Sequence, residues 1–197
     1  MFKRYGFFGF LRIVKSLIFT KIFYPQARLI RLPFDIRNRR YIKIGPKFTT
    51  GFGCRIEASP TDKNNKECIV IGSNVQINDY VHIGAINSVI IGDNVLLASK
   101  IYISDHNHGS YTSLKSDHPM SIPIERECSA SPVVIEDSVW LGESVSVLPG
   151  VVIGKGSIIG ANSVVTKSIP PYTIAVGIPA KVIKKFDFDS QKWISVY

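Results

Sequence analysis

Ile135, Leu141, Val147, Ile153, Ile159 and Val165 recur at every sixth position without a break, and a small residue or Gly often follows. The same beat runs through Ile71, Ile77 and Ile83, slips by two residues, and resumes through Ile91, Leu97 and Ile103. A short fixed period that sets one aliphatic position beside a small or turn-forming one is the pattern of a β-solenoid, in which each hexad forms one face of a coil. Three hexads close one coil, so the register decides which side chains stack inward and which point out. The first coil is degenerate: Ile44, Thr50 and Ile56 keep the beat, Gly45 and Gly51 follow them, and a polar stretch from Ser59 to Glu67 interrupts it.

The period fails over residues 105–132, which are rich in His, Pro, Ser and Asp. This reads as a loop thrown outward from a coil, the usual form of a long functional loop in a compact repeat body. Ser168-Ile169 and Pro170-Pro171 end the solenoid, since Pro cannot donate to a ladder. Tyr172–Lys185 reads as extended and Asp187–Val196 as a short final helix. The expected organisation is therefore an arm over 1–43, a solenoid over 44–170, and a C-terminal strand with a short helix over 171–197.

Residues 2–23 mix aromatic and aliphatic side chains with Lys3, Arg4, Arg12, Lys15 and Lys21, which predicts an amphipathic helix lying against something. It could cap the solenoid's open hydrophobic end or lie on an anionic cytoplasmic membrane leaflet, and one segment can do both. Arg12 and Lys15 interrupt the apolar run and no small-residue cleavage site follows, so neither a membrane span nor a signal peptide fits.

Composition sharpens this in two places. A chain of 197 residues with 45% apolar content has ample material for one core. The net charge of +9 suggests nucleic acid only until it is divided: twelve Lys or Arg against Asp35 alone lie in residues 1–47, and the remainder is slightly acidic. That basic arm interleaves Phe2, Phe7, Phe8, Phe10 and Phe19 among aliphatics, as a membrane-surface helix does, and carries no nucleic-acid motif. Cys54, Cys68 and Cys128 are odd in number and lack CxxC spacing, which indicates neither a disulfide framework nor a zinc knuckle but thiols in a reducing cytosol.

Three motifs, INDYVHIGAINSVIIGDNVLLAS, ISDHNHGSY and VWLGESVSVLPGVVIGKGSIIGANSVVTKSIPPYTIAVGIPAKVIKK, resemble those of the hexapeptide-repeat acyltransferases. The likeness is nearest to the branch holding maltose and galactoside O-acetyltransferases and the lipopolysaccharide and capsule O-acetyltransferases, and IRLPFDIR in the arm extends it to nearly the whole chain. The resemblance implies an all-β fold, a left-handed parallel β-helix with an N-terminal amphipathic helix and a short C-terminal extension. It also implies a homotrimer with sites between subunits, acetyl-CoA as co-substrate without a metal, and a sugar or lipid-linked glycan as acceptor.

Moving acetyl from a thioester to a hydroxyl requires a base, donors for the tetrahedral oxyanion and a slot for both substrates. Histidine suits the base, because its unperturbed pKa of about 6.5 lets it take a proton at neutral pH and return it to the thiolate. Counting without gaps from the preceding I-G-D-N, His108 falls where the maltose-type enzymes carry their catalytic histidine; a two-residue gap places His106 there. Asp105 could fix the ring tautomer or merely start the loop. Asn78 matches a family asparagine that contacts the acceptor, while His82 reads as structural.

For the co-substrate, the resemblance assigns an aromatic wall to Trp140 and close approach of the pantetheine arm to the backbone of Gly142, Gly160 and Ala161. It places Thr166, Lys167, Lys181 and Lys184 at the adenosine and phosphate end, where ammonium groups suit phosphate oxygens. The family often has arginine at the last two positions.

Two rivals share the solenoid. A γ-class carbonic anhydrase would use three histidines on zinc, but the family spacing is wider than H-N-H and such an enzyme needs no TKSIPPYTIAVGIPAK tail. A non-catalytic scaffold would tolerate alanine at both His106 and His108. Within the acetyltransferase reading, the acceptor is a hydroxyl on a lipid-linked O-antigen or capsule unit, a free sugar, or an amino-sugar nitrogen, and the arm favours the first.

Overall fold

The computed structural model describes residues 2–62, 67–112 and 114–196, with side chains from Gly6 onward; the Phe2, Lys3 and Arg4 side chains and residues 63–66 of the polar interruption lie outside the described set. The chain is a left-handed parallel β-helix whose short strands stack on three faces. The hexads explain the winding. Ile71, Ile91, Ile135 and Ile153 stack on the first face, Ile77, Leu97, Leu141 and Ile159 on the second, and Ile83, Ile103, Val147 and Val165 on the third. All twelve are at most 1% exposed, so each sixth residue turns one corner and re-enters the core. At the corners Asn74, Asn94 and Asn162 adopt left-handed backbone, which Asn tolerates better than most side chains.

Pairing begins earlier than the sequence suggests. Phe34–Arg37 pairs in parallel with Cys54–Ala58 and so forms the outermost strand of the third face, within the segment expected to be arm. Beyond the last coil, Thr173–Gly177 pairs antiparallel with Ala180–Asp187.

The helix expected over Asp187–Val196 is not formed; Lys192–Ser195 is a strand antiparallel to Ala180–Asp187. Asp187 accepts the Ser190 backbone N–H and closes the turn, which sets Phe186 opposite Trp193 with ring centroids 5.3 Å apart. Cross-strand aromatic pairing of this kind outweighs the weak helical preference of a short apolar run.

The loop at 105–132 is rooted rather than loose. His106–His108 pairs antiparallel with Cys128–Ala130, and the Arg126 guanidinium donates to the Ser121 and Tyr111 hydroxyls.

The N-terminal helix α1 (Phe2–Phe23) is interrupted at Gly6, which has φ 64°. It docks through Phe19, which packs on the core, and through two polar side chains. Thr20 Oγ1 accepts the Ile30 N–H at 2.8 Å, and Ser16 Oγ accepts the Leu32 N–H at 3.2 Å. The half-buried Ile13, Val14 and Phe19 face the protein while Arg12, Lys15 and Lys21 are exposed, but the expected amphipathic division is incomplete. Ser16 and Thr20 are buried while Phe7, Phe8, Leu11, Ile18 and Ile22 are exposed, because the partner segment offers unpaired backbone N–H groups that need acceptors.

Candidate active site

The place where the hexads slip is also where the candidate base sits. Two extra residues between Ile83 and Ile91 leave backbone N–H groups that cannot join the regular stack. The Asp105 carboxylate, wholly buried, accepts them: Ile86 N–H at 3.0 Å, Asn87 N–H at 2.7 Å and Ser88 N–H at 2.7 Å. The same carboxylate lies 2.8 Å from His106 Nδ1. With a carboxylate accepting at Nδ1, the proton resides there and the Nε2 lone pair is left to act as a base. Ser104, the last residue of the strand below, adds a contact from its Oγ to His106 Nδ1 at 3.2 Å.

His106 does not stand alone. On the outer side of the third face, Arg37, Glu57, Gly84 and Ser104 form one cross-strand row, and Arg55, His82 and Tyr102 form the next. Gly84 leaves a gap in the first row. A side-chain carbon built there would lie 3.7 Å from His106 Cε1, 3.7 Å from His82 Nε2 and 3.9 Å from Glu57 Cγ. Two imidazoles and the Glu57 methylene thus border a space about the size of a methyl group. His82 Nε2 lies 2.8 Å from Glu57 Oε1, and Arg37 pairs with the other Glu57 oxygen at 2.9 Å. His82 was read from the sequence as structural, but its ring belongs to this cluster. The signal that could have found it is strand parity: His82 and Gly84 flank the inward Ile83, so both face out beside Ser104.

His108 is placed differently. Its ring is exposed on the hairpin, with Nδ1 3.7 Å from Cys128 Sγ, and its carbonyl accepts the Tyr111 hydroxyl. Asn78 sits at the corner after Gln76–Ile77, where its Oδ1 accepts the Gln76 side-chain amide at 3.0 Å. Among the described residues no group of three His, Cys, Asp or Glu side chains is arranged to hold a metal ion.

The residues assigned to the co-substrate lie toward the last coils. Trp140, 47% exposed, shares a cross-strand row with Ile158, Ile174 and Lys184 on the second face. Three strand spacings put the indole and Lys184 about 14 Å apart along that row. Lys181 pairs across from Val176 on the same hairpin, and Ala161, Thr166 and Lys167 are exposed at the adjoining corners. Gly142 and Gly160 also serve the packing of the chain itself. A side-chain carbon on Gly142 would come within 2.6 Å of the Ala161 backbone nitrogen, and one on Gly160 within 2.6 Å of Val176 Cγ1. Gly142 makes room for the next coil and Gly160 for the hairpin strand stacked beyond it.

Comparison with known proteins adds a family and a fold. Residues 132–167 match the family model for bacterial transferase hexapeptide, six repeats. The chain is 48% identical over 195 residues to an Escherichia coli K12 protein named "Putative lipopolysaccharide biosynthesis O-acetyl transferase WbbJ", covering 97% of this chain and 95% of that one. It is 38% identical over 119 residues to the galactoside O-acetyltransferase of E. coli K12, covering 60% and 55%. Among solved structures, a variant of the Bacillus cereus N-acyltransferase AntD, in complex with dTDP-4-amino-4,6-dideoxyglucose and coenzyme A, superposes with a TM-score of 0.69 at 22% identity. That match covers 88% of this chain and 90% of that one, and shows the fold.

Proposed function

Because the chain belongs to the bacterial hexapeptide-repeat transferases and is an acyltransferase, we propose that it transfers acetyl from acetyl-CoA to a sugar hydroxyl of a bacterial surface polysaccharide. The observation that carries the chemistry is the Asp105–His106 pair at the root of the loop hairpin. His106 Nε2 takes the proton as the acceptor oxygen attacks the thioester carbonyl. The tetrahedral intermediate collapses with release of CoA thiolate, and the imidazolium returns the proton to sulfur. No covalent enzyme intermediate is needed. The ungapped count favours His108 as the base, but in this structure the buried carboxylate supports His106.

The co-substrate reading assigns the adenine and phosphate end to Lys181 and Lys184 with Thr166 and Lys167, and the pantetheine to the Trp140 side of the row, near Ala161. What supports it is the length of the row and its passage from an aromatic to a cationic end. Asn78 remains assigned to the acceptor, which would reach it from a neighbouring subunit of a homotrimer. Exposed apolar side chains on the first face, Ile90 and Val152, support such an assembly. Overall identity to a relative named for lipopolysaccharide biosynthesis supports a glycan acceptor carried on lipid, handled at the inner face of the cytoplasmic membrane.

Mass spectrometry of the host polysaccharide with and without this gene tests the proposal. The expected result is loss of one acetyl group from one sugar residue in the deletion strain and its return with the wild-type gene but not with His106→Ala. Unchanged acetylation in the deletion strain would overturn it.

A further inference from the structure

The outward side of α1 carries a run of exposed apolar side chains beside the exposed Arg12 and Lys15. Ser16 and Thr20, at 3% and 1% exposure, are turned inward onto backbone groups, whereas Ile18 and Ile22 are 57% and 65% exposed and Phe8 79%. At about 100° per residue, Phe7, Leu11, Ile18 and Ile22 fall in one narrow stripe, with Lys15 and Phe8 at its margin and Arg12 just beyond. A continuous exposed apolar stripe on a docked helix needs a cover. No helix among the described residues is long and apolar enough to cross a membrane, so a cover from lipid would be met at the surface.

Cations gather along one margin of the stripe. Arg12 and Lys15 line a cleft of about 530 Å³ with Leu32, Pro33, Phe34 and Phe52. It adjoins a smaller hollow that shares Arg12, Leu32 and Phe52 and reaches Arg31. None of Arg12, Lys15 and Arg31 appears in an ion pair among the described residues, in contrast to Arg37, which holds two carboxylates. Arg31 Nε is enclosed and has no hydrogen-bond partner. Two cations outside any ion pair among the described residues, with a third in the adjoining hollow and a wall of Leu32, Phe34 and Phe52, fit an anion attached to something apolar. A fully hydrated small anion would gain nothing from those walls.

We infer that α1 lies in the headgroup layer of an anionic bilayer and that the cleft seats the phosphate diester of one lipid. The phosphate oxygens accept from Arg12 and Lys15 in the cleft, with the Arg31 charge in the adjoining hollow beside them, and the acyl chains continue along Leu32 and Phe52 toward the exposed stripe. This deepens the membrane-face part of the function proposed above and shares none of its acyl-transfer chemistry.

Flotation of the full chain with vesicles tests it. The protein should rise with phosphatidylcholine vesicles containing phosphatidylglycerol and stay behind with phosphatidylcholine alone. Arg12→Gln with Lys15→Gln, both on the exposed rim and so safe for folding, should weaken binding on the order of 30-fold, as expected for two cations near an anionic surface. Arg31→Gln should weaken it as well, with unchanged circular dichroism. Equal flotation with both vesicle types, or unaltered binding by the Arg12/Lys15 double variant, would overturn the site. Displacement by millimolar inorganic phosphate would overturn the lipid source. A change in oligomer size of Ile18→Ser/Ile22→Ser without vesicles would overturn it in favour of a second copy as the cover. Polysaccharide acetylation that fails while flotation behaves as expected would reject the function and leave the lipid site standing; the reverse pattern would reject the site alone.

Discussion

Asp105 and His106 are neighbours in sequence yet bond side chain to side chain, with Asp105 Oδ1 2.8 Å from His106 Nδ1, because the carboxylate is held from below by the N–H groups of Ile86, Asn87 and Ser88. One side chain therefore closes the break in the coil stack and fixes the ring above it. Asp105→Asn keeps an acceptor oxygen but loses the charge and one of the two accepting sites. Steady-state kinetics should show kcat lower by about 10–100-fold, the usual cost of removing a partner that orients a histidine. Thermal unfolding should show a loss of roughly 1–3 kcal/mol from the weakened buried acceptor. Full activity in a folded Asp105→Asn protein would remove the pair from the mechanism.

The two histidines of the HNH tripeptide should separate cleanly. His106→Gln is expected to lower kcat by about 10²–10⁴-fold, the range for a positioned general base. His108→Gln should act mainly through the hairpin, with kcat within about tenfold of wild type, since its ring has an exposed setting and only a long contact to Cys128. The opposite order would return the base to His108.

The coil was readable because one physical rule repeats: an aliphatic side chain at every sixth residue must re-enter the same core, and all twelve regular positions do so. The site was readable only in part. The interruption at 105–132 pointed to the candidate histidines, but the slip after Ile83 gave no hint that Asp105 would repair it, since that contact joins segments 17 to 19 residues apart. Gly142 and Gly160 show a second limit, because each is also required by packing within the chain. A small residue marks close approach, and sequence alone does not say whether a ligand or the next coil approaches. The final strand was missed because Phe186 and Trp193 find each other only after the turn at Asp187–Ser190 forms.

The gap at Gly84 gives a direct probe of the acceptor side. An alanine there meets His106 and His82 at 3.7 Å, ordinary contact distance, so the fold should tolerate it. If the acceptor hydroxyl enters between the two imidazoles, the added methyl should raise the acceptor KM by about 10–200-fold, the effect of one methyl-sized misfit. The KM for acetyl-CoA should not change. An acceptor KM equal to that of wild type would place the hydroxyl elsewhere.

Gly142→Ala tests the packing role of that glycine. Its new carbon would stand 2.6 Å from the Ala161 backbone nitrogen, which cannot swing aside as a flexible side chain would. Overpacking of this kind typically costs about 1–3 kcal/mol. The expected outcome is a lower melting temperature with the KM for acetyl-CoA nearly unchanged in the remaining folded protein. A raised KM at normal stability would favour the ligand-approach role.

The cysteines predict a pH dependence. Burial pushes the Cys54 thiol up to about 11 and the Cys68 thiol up to about 12, from an ordinary value of 9.0. Above pH 9 the unfolded chain releases these two protons while the folded chain keeps them, so the unfolded state binds fewer protons and stability falls as pH rises. The loss should begin near pH 9 and continue through about 11 for Cys54 and about 12 for Cys68, and Cys54→Ala with Cys68→Ala should flatten that limb of a denaturation-midpoint profile. Alkylation at neutral pH reads the same burial from the other side: iodoacetamide should label the half-buried Cys128 in the native protein and reach Cys54 and Cys68 only after unfolding. Fast native labelling of either buried thiol would show that the coil core opens far more readily than its packing implies.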